Sequence, residues 1–384
     1  MTNQLERRDF IKLSAGVATT ALAANSLWSK ATAQTVVSGQ GPYGALQSAD
    51  SLGIMLPAGF QARIVAQAGQ TVPGTNHTWH MYPDGGATFA GPDGDYVYVS
   101  NSEIPLVGGV GAIRFNANGD IVDAYSICSG TTSNCAGGKT PWGTWLTCEE
   151  YFRGSVLECD PFVADSATRR SSLGYFSHEA AAVDPTTGYV YLTEDESDGC
   201  FYRFRPDLAG DLSSGTLEVA AVSSAGDVSW HVVPRPTAFV VFSPTRKQVS
   251  AATHFDGGEG IVYSQGVLYF TTKGDNKVWE YAPHSEQISV LYDANQDPGR
   301  QLTGVDNITA SSGGDLIVAE DGGNMELVLI STEGTASPLL RVEGQDSSEL
   351  TGPAFDPTGT RLYFSSQRGN GSGITYEVTG PFRF

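Results

Sequence analysis

A short apolar run recurs six times along this chain, and no other feature limits its fold as strongly. It reads Tyr96-Val97-Tyr98-Val99-Ser100, then Thr144-Trp145-Leu146-Thr147-Cys148 and Tyr189-Val190-Tyr191-Leu192-Thr193. It returns as Val267-Leu268-Tyr269-Phe270-Thr271, Asp315-Leu316-Ile317-Val318-Ala319 and Arg361-Leu362-Tyr363-Phe364-Ser365. β-Branched and aromatic residues bounded by turn residues mark strands. A further strand precedes the repeat, as in His178-Glu179-Ala180-Ala181, and others follow it, as in Phe201-Tyr202-Arg203-Phe204 and Ile288-Ser289-Val290-Leu291-Tyr292. Four strands in each unit of about 45 residues predict an all-β chain, a six-bladed β-propeller with four-stranded antiparallel blades, over a pair of sandwiches. The propeller is expected over residues 61–384, behind a lead-in at 34–60. The one long interval, between Tyr189 and Val267, predicts an insertion around 207–250.

The first residues have a different character. Arg7-Arg8-Asp9-Phe10 leads into an apolar run from Leu13 to Ala24, and Ala31-Thr32-Ala33 follows. That order predicts a twin-arginine export signal over residues 1–33, cleaved after Ala33. The apolar run falls short of the roughly 20 residues that span a bilayer. No later segment is longer and as apolar, so no stable membrane span is expected. The expected product is a monomer in the periplasm or outside the cell, delivered by the twin-arginine machinery, which moves folded chains. With 42 acidic against 22 basic side chains the net charge is −20. Such a chain repels nucleic acid and attracts cations. Five cysteines are too few for a disulfide scaffold, and an odd number leaves one unpaired. Cys148 and Cys159 are the better disulfide candidates.

The acids follow the repeat. Polar groups come directly after the recurring strand: Asn101-Ser102-Glu103, Glu149-Glu150, Glu194-Asp195, Lys273-Gly274-Asp275, Glu320-Asp321 and Gln367-Arg368. Others open the strand before it: Glu179, Glu259, and Asp306 with Asn307. In an antiparallel hairpin the start of one strand lies beside the end of the next. Both sets therefore fall on one rim of each blade, and six blades gather them around one channel mouth. Glu179 is expected to face Glu194 and Asp195, Asp306 to face Glu320 and Asp321, and Glu259 to lie near Lys273. Crowded carboxylates need a counter-charge, and carboxylate oxygens suit calcium and iron. Cys135, in the turn Asn134-Cys135-Ala136-Gly137-Gly138, offers a thiolate to a softer metal or is a buried thiol. HExxH, Walker, GxSxG and CxxC motifs are absent, and the six histidines have no zinc spacing.

Several stretches resemble the PhoX-like alkaline phosphatases. The most specific is the block from Asn134 to Glu150, which contains Cys135-Ala136-Gly137-Gly138-Lys139-Thr140-Pro141-Trp142-Gly143. His178-Glu179, Glu194-Asp195, Glu259-Gly260, Asp306-Asn307, Glu320-Asp321 and Thr351-Gly352-Pro353 support it in order. The resemblance implies a propeller carrying an iron–calcium cluster, which hydrolyses phosphomonoesters without a serine nucleophile. It implies Cys135, Glu179 and Glu259 as iron ligands. Glu149, Glu150, Glu194, Asp195, Asp306, Glu320 and Asp321 are implied as calcium ligands or cluster neighbours, and Asn101 as a phosphate contact. Two departures stand out. The family's Asn-His-Glu is Asn101-Ser102-Glu103 here, and its phosphate-holding Arg-x-Glu-Gly is Gly257-Gly258-Glu259-Gly260. Arg368 or Lys273 is the expected substitute for the missing arginine. The alternatives are a calcium-dependent, lactonase-like hydrolase of another ester, and a propeller that binds metal without turnover.

Overall fold

The computed structural model describes residues 36–238 and 243–383; the expected twin-arginine leader and its expected cleavage position lie outside them. Six sheets follow one another around an axis, each with four antiparallel strands. Blade 1 is Pro83–Ala90, Tyr96–Ser102, Gly108–Phe115 and Ile121–Thr131, from the axis outward. Blade 2 is Asn134–Lys139, Trp145–Glu149, Val156–Cys159 and Thr168–Arg169. Blade 3 is His178–Val183, Val190–Glu194, Gly199–Leu208 and Asp211–Val222. Blade 4 is Gly258–Ser264, Val267–Thr272, Lys277–Ala282 and Gln287–Asp293. Blade 5 is Val305–Ala310, Leu316–Glu320, Glu326–Ile330 and Thr335–Val342. Blade 6 takes Leu350–Phe355, Arg361–Ser366 and Ile374–Thr379 from the end of the chain, and its outer strand Gln61–Gln67 from the beginning. This exchange closes the ring with main-chain hydrogen bonds between residues far apart in sequence.

The lead-in adds edge strands to blade 5: Val37–Ser38 runs parallel, and Ile54–Met55 antiparallel, to Thr335–Val342. In the region of the expected insertion at 207–250 lie the outer strand of blade 3 and a fifth strand Val228–Val232, and beyond it His254–Phe255 pairs back with Gly199 and Cys200. Among the described residues no helix is long and apolar enough to cross a membrane.

The repeat is apolar at successive positions because each blade is buried on both faces. Val97 and Val99 pack toward blade 2, while Tyr96 and Tyr98 pack toward blade 6. In blade 5, Leu316 and Val318 face blade 4, and Ile317 and Ala319 face blade 6. Each of the six seams between blades thus has its own apolar core.

Cys128, Cys148, Cys159 and Cys200 sit in these seams, and all five cysteines are free thiols. The expected Cys148–Cys159 bridge is not formed. Cys148 pairs with Val156 and Cys159 with Trp145, so the two are offset along the ladder. Cys159 instead meets Cys128 of blade 1 in the core.

Candidate metal centre

The first strand of every blade slips register near its start. An unpaired residue in such a bulge re-aims its side chain. In blades 1 to 5 the residue after the first pair is Asp84, Cys135, Glu179, Glu259 and Asp306. Neighbouring first strands approach closely enough to need glycine. A Cβ on Gly260 would lie 2.6 Å from Ile308 N, and one on Gly352, whose φ is +57, would lie 2.5 Å from Asp84 O.

The residue just after each second strand completes the mouth: Glu103, Glu150, Asp195, Lys273, Asp321 and Gln367. Four overlapping groups result, each with ligand atoms within 4.8 Å of one another: Glu103, Cys135 and Glu150; Asp84, Glu103 and Glu349; Glu179, Glu259 and Asp306; Asp306, Asp321 and Glu349. Cys135 Sγ lies 3.3 Å from Glu179 Oε1. Glu179 Oε2 is buried with no hydrogen-bond partner.

Hydrogen bonds from one blade hold the next. Asn101, Thr193 and Thr271 each stand one residue before the end of a second strand. Asn101 Nδ2 donates to Cys135 O at 3.0 Å and to Ala136 O at 2.7 Å. Thr193 Oγ1 donates to Glu259 O and Thr271 Oγ1 to Asp306 O, each at 2.5 Å. The main chain of three clustered residues is therefore fixed by the preceding blade. Asn101 is fully buried, and its Oδ1 accepts from Trp145 and Thr147. Both of its amide protons are committed, so it positions Cys135 and has no donor left for an anion.

Lys273 and Arg368 are the basic side chains paired with the cluster. Lys273 Nζ lies 2.9 Å from Glu259, 3.3 Å from Asp306 and 3.2 Å from Asp321. Burial would lower its pKa, but Asp306 and Glu259 override that and raise it. Arg368 pairs with Glu349 at 2.7 Å. Gln367 Nε2 bridges Asp84 and Glu103. Burial, then neighbouring acids, pushes Asp84, Glu179 and Glu259 well above the usual carboxylate range. The same causes push Glu150 up to about 8 and Glu349 up to about 9. Burial followed by Asp84 and Glu179 raises the Cys135 thiol. Each proton kept here marks burial and like-charge crowding that Lys273 and Arg368 do not offset.

Three acids anticipated for the mouth go elsewhere. Glu149 accepts from Thr132 N, Ser155 N and Arg169. Glu194 accepts from Cys200 N, Tyr202 Oη and Arg246, so it does not face Glu179; His178 pairs opposite it, stacked on Phe176. Glu320 accepts from Thr303 N and Glu326 N, turned away from Asp306. Asp195, one residue past Glu194, meets Glu150. Glu103 and Gln367, expected on the rim but not as ligands, join the mouth, as do Asp84 and Glu349, which were not singled out. Glu103 and Gln367 share the register of Glu150 and Asp321, and Asp84-Gly85 parallels Glu259-Gly260, so those three carried a signal. Glu349, before its first strand, carried none.

No curated protein matches the sequence. Among solved structures, a protein of unknown function from Bacteroides thetaiotaomicron is similar in fold, with a TM-score of 0.54 and 10% identity, over 83% of this chain and 76% of that one. A gluconolactonase from Xanthomonas campestris aligns with a TM-score of 0.45 and 15% identity, over 89% of this chain and 99% of that one. The profile of alkaline phosphatase PhoX matches residues 98–158 and 153–369, which takes in most of the ring and nearly all of the mouth. The chain belongs to the alkaline phosphatase PhoX family.

Proposed function

We propose that this protein is an exported, metal-dependent phosphatase that hydrolyses phosphomonoesters at the propeller mouth. The observation that carries this reading is the crowding of buried carboxyls and one thiol, with Glu179 Oε2 left unpartnered, in a member of this family. Buried anions without partners cost several kcal/mol each, of order 3 kcal/mol, unless cations neutralise them. The donor set fits more than one ion. Cys135 with Glu103, Glu150 and Glu179 suits iron, which accepts thiolate and carboxylate together. Glu259, expected with iron, shares a group with Glu179 and Asp306, while Asp306, Asp321, Asp84 and Glu349 offer the all-oxygen environment that calcium takes. Cations bound there would supply Lewis-acid charge for transfer of the phosphoryl group to water.

The chain's own residues do the positioning. The family's phosphate-holding arginine stands where this chain has Gly257. A side chain at 257 would meet Asp195 Oδ1 at 3.2 Å and Lys273 Cβ at 3.8 Å. Lys273 therefore stands beside position 257, with its ammonium paired to Glu259, Asp306 and Asp321. Arg368 brings a guanidinium from blade 6, able to hold two phosphoryl oxygens at once. The reaction joins a water oxygen to phosphorus and breaks the ester phosphorus–oxygen bond. The alcohol leaves with one of the water's protons, and nothing is oxidised.

The test is hydrolysis of p-nitrophenyl phosphate by protein exported through its own leader, with elemental analysis of the same sample. Turnover that a calcium chelator abolishes and calcium restores is expected, with iron present and lost in Cys135→Ala. Fully metallated protein with no turnover would overturn the phosphatase reading.

A further inference from the structure

The rim of the mouth is not uniform. On the side of blades 4 to 6 it carries Lys273 and Arg368. On the side of blades 1 and 2 it carries exposed apolar side chains. Leu106 is 83% exposed, Val107 68% and Phe152 67%, with Met81 at 40% beside them. Single exposed apolar residues are ordinary, whereas several grouped on one edge of a site are not.

The backbone segments that carry these side chains are tied to one another and to the cluster. Ser133 N donates to Ile104 O, and Glu150 N donates to Ser133 O, so the 104–107 loop and the turn at Tyr151 and Phe152 flank one residue. Leu106 lies three residues past Glu103, and Phe152 two past Glu150; those two acids share a group with Cys135. Met81 is tied in through Ser102, whose hydroxyl donates to Met81 O at 2.8 Å. The loop is also strained. Leu106 has φ +69, a left-handed conformation that a bulky side chain rarely adopts, and Thr132 Oγ1 fixes it by accepting from Leu106 N at 2.8 Å. A leucine kept in that conformation, and pointed at water, has no packing role within the chain.

We infer that this lip is the leaving-group subsite, and that the substrates are phosphomonoesters of apolar alcohols. The inference rests on the proposed phosphatase activity and deepens it. The phosphoryl group sits at the charged mouth, and the alkyl or aryl part of the alcohol lies over Leu106, Val107 and Phe152. Water attacks phosphorus, the ester bond breaks, and the alcohol departs with its new proton across the apolar edge.

The experiment compares n-hexyl phosphate with ethyl phosphate. Both release unsubstituted primary alcohols of nearly equal acidity, so the ratio of their kcat/KM values reads contact with the apolar chain and is independent of the fraction of active protein. The hexyl ester is expected to be favoured at least about tenfold, the return on burying roughly two methylenes. Leu106→Ser and Phe152→Ser should each lower that ratio by about threefold or more, and the double variant should bring it near one. A wild-type ratio near one, or a ratio that neither variant moves, overturns the subsite. Hydrolysis of neither ester by fully metallated protein overturns the phosphatase reading instead.

Discussion

Glu149 and Glu150 are adjacent in sequence, as are Glu194 and Asp195, and Glu320 and Asp321, yet the two members of each pair do opposite work. The first of each pair is a strut. Glu149 and Glu320 tie a third strand to the linker arriving from the previous blade, and Glu194 ties its third strand to Arg246. The second turns to the axis and joins other acids. Consecutive side chains on a strand face opposite ways, and the alternation carries one step past the strand end. Identical chemistry one residue apart is thus divided into a fully hydrogen-bonded set that holds the blades and a crowded set that needs cations. Composition gives no hint of that division.

Substitution on the two sides should separate them, and the largest effect belongs to the axis. Asp306→Asn or Glu259→Gln removes a charge from the crowded set. Turnover should fall at least about a thousandfold, equivalent to ~4 kcal/mol, if these acids hold the cations that stabilise the transition state. Bound metal per protein should fall with it. The metal-free form should lose little stability, because the relief of repulsion offsets the loss of one of the three carboxylates paired with Lys273. Urea unfolding and elemental analysis of the same preparation check both statements. A variant that keeps its full metal content would break the contrast.

The struts should show the reverse. Glu149→Ala and Glu320→Ala strand buried backbone N–H groups, and Glu149→Ala also frees Arg169. Each should cost about 3 kcal/mol of stability, while the folded fraction still takes up metal. A strut variant that folds as well as the parent but has lost its metal would move that acid into the cluster.

Much of this organisation was legible. The number of blades followed from the six repeats, and the gathering of Glu179, Glu259, Asp306 and Asp321 followed from hairpin geometry, whereas Cys135, read as part of a turn, was brought to them only by the family resemblance. The partition within Glu-Glu and Glu-Asp pairs was not, because it depends on where each strand ends, and a shift of one residue exchanges the faces. Asn101 was misread for a related reason. The residues that absorb its donors, Cys135 and Ala136, belong to the next blade, and no local pattern announces a contact across a seam.

Proton binding gives a smaller contrast. In the metal-free protein, burial, followed by neighbouring acids including Asp195, pushes Glu150 up to about 8, and burial pushes Glu320 up to about 8. The folded state therefore keeps protons that the unfolded chain gives up from about pH 4.5. With more protons bound in the folded state, stability must fall as pH rises through that window, and Glu349, pushed up to about 9 by burial and neighbouring acids, carries the fall past pH 8. A loss of about 2 kcal/mol between pH 5 and 8.5 is expected once solvent relaxation is allowed for. Cations replace protons on the mouth acids only, so metal should flatten the part that Glu150 contributes and leave the part from Glu320. Unfolding midpoints at both pH values, with and without calcium, measure the two parts. Identical slopes in Glu320→Gln and the parent would remove the strut from the account.

The smallest effect should come from Arg368, the cation at the edge of the mouth. Its side chain is 43% exposed, and its pair with Glu349 is partly in water. Such pairs contribute between about 0 and 1 kcal/mol. Arg368→Ala should therefore change stability by less than about 1 kcal/mol. If the guanidinium holds phosphoryl oxygens in both ground and transition states, KM for p-nitrophenyl phosphate should rise about tenfold with kcat nearly unchanged. Arg368→Lys should recover only part of that, because an ammonium cannot make the two parallel bonds. Lys273 is tied to three carboxylates, and its loss should disturb metal content as well. A drop in kcat without a change in KM for Arg368→Ala would place this arginine with the groups that act only on the transition state, and inorganic phosphate should then inhibit the variant as strongly as the parent.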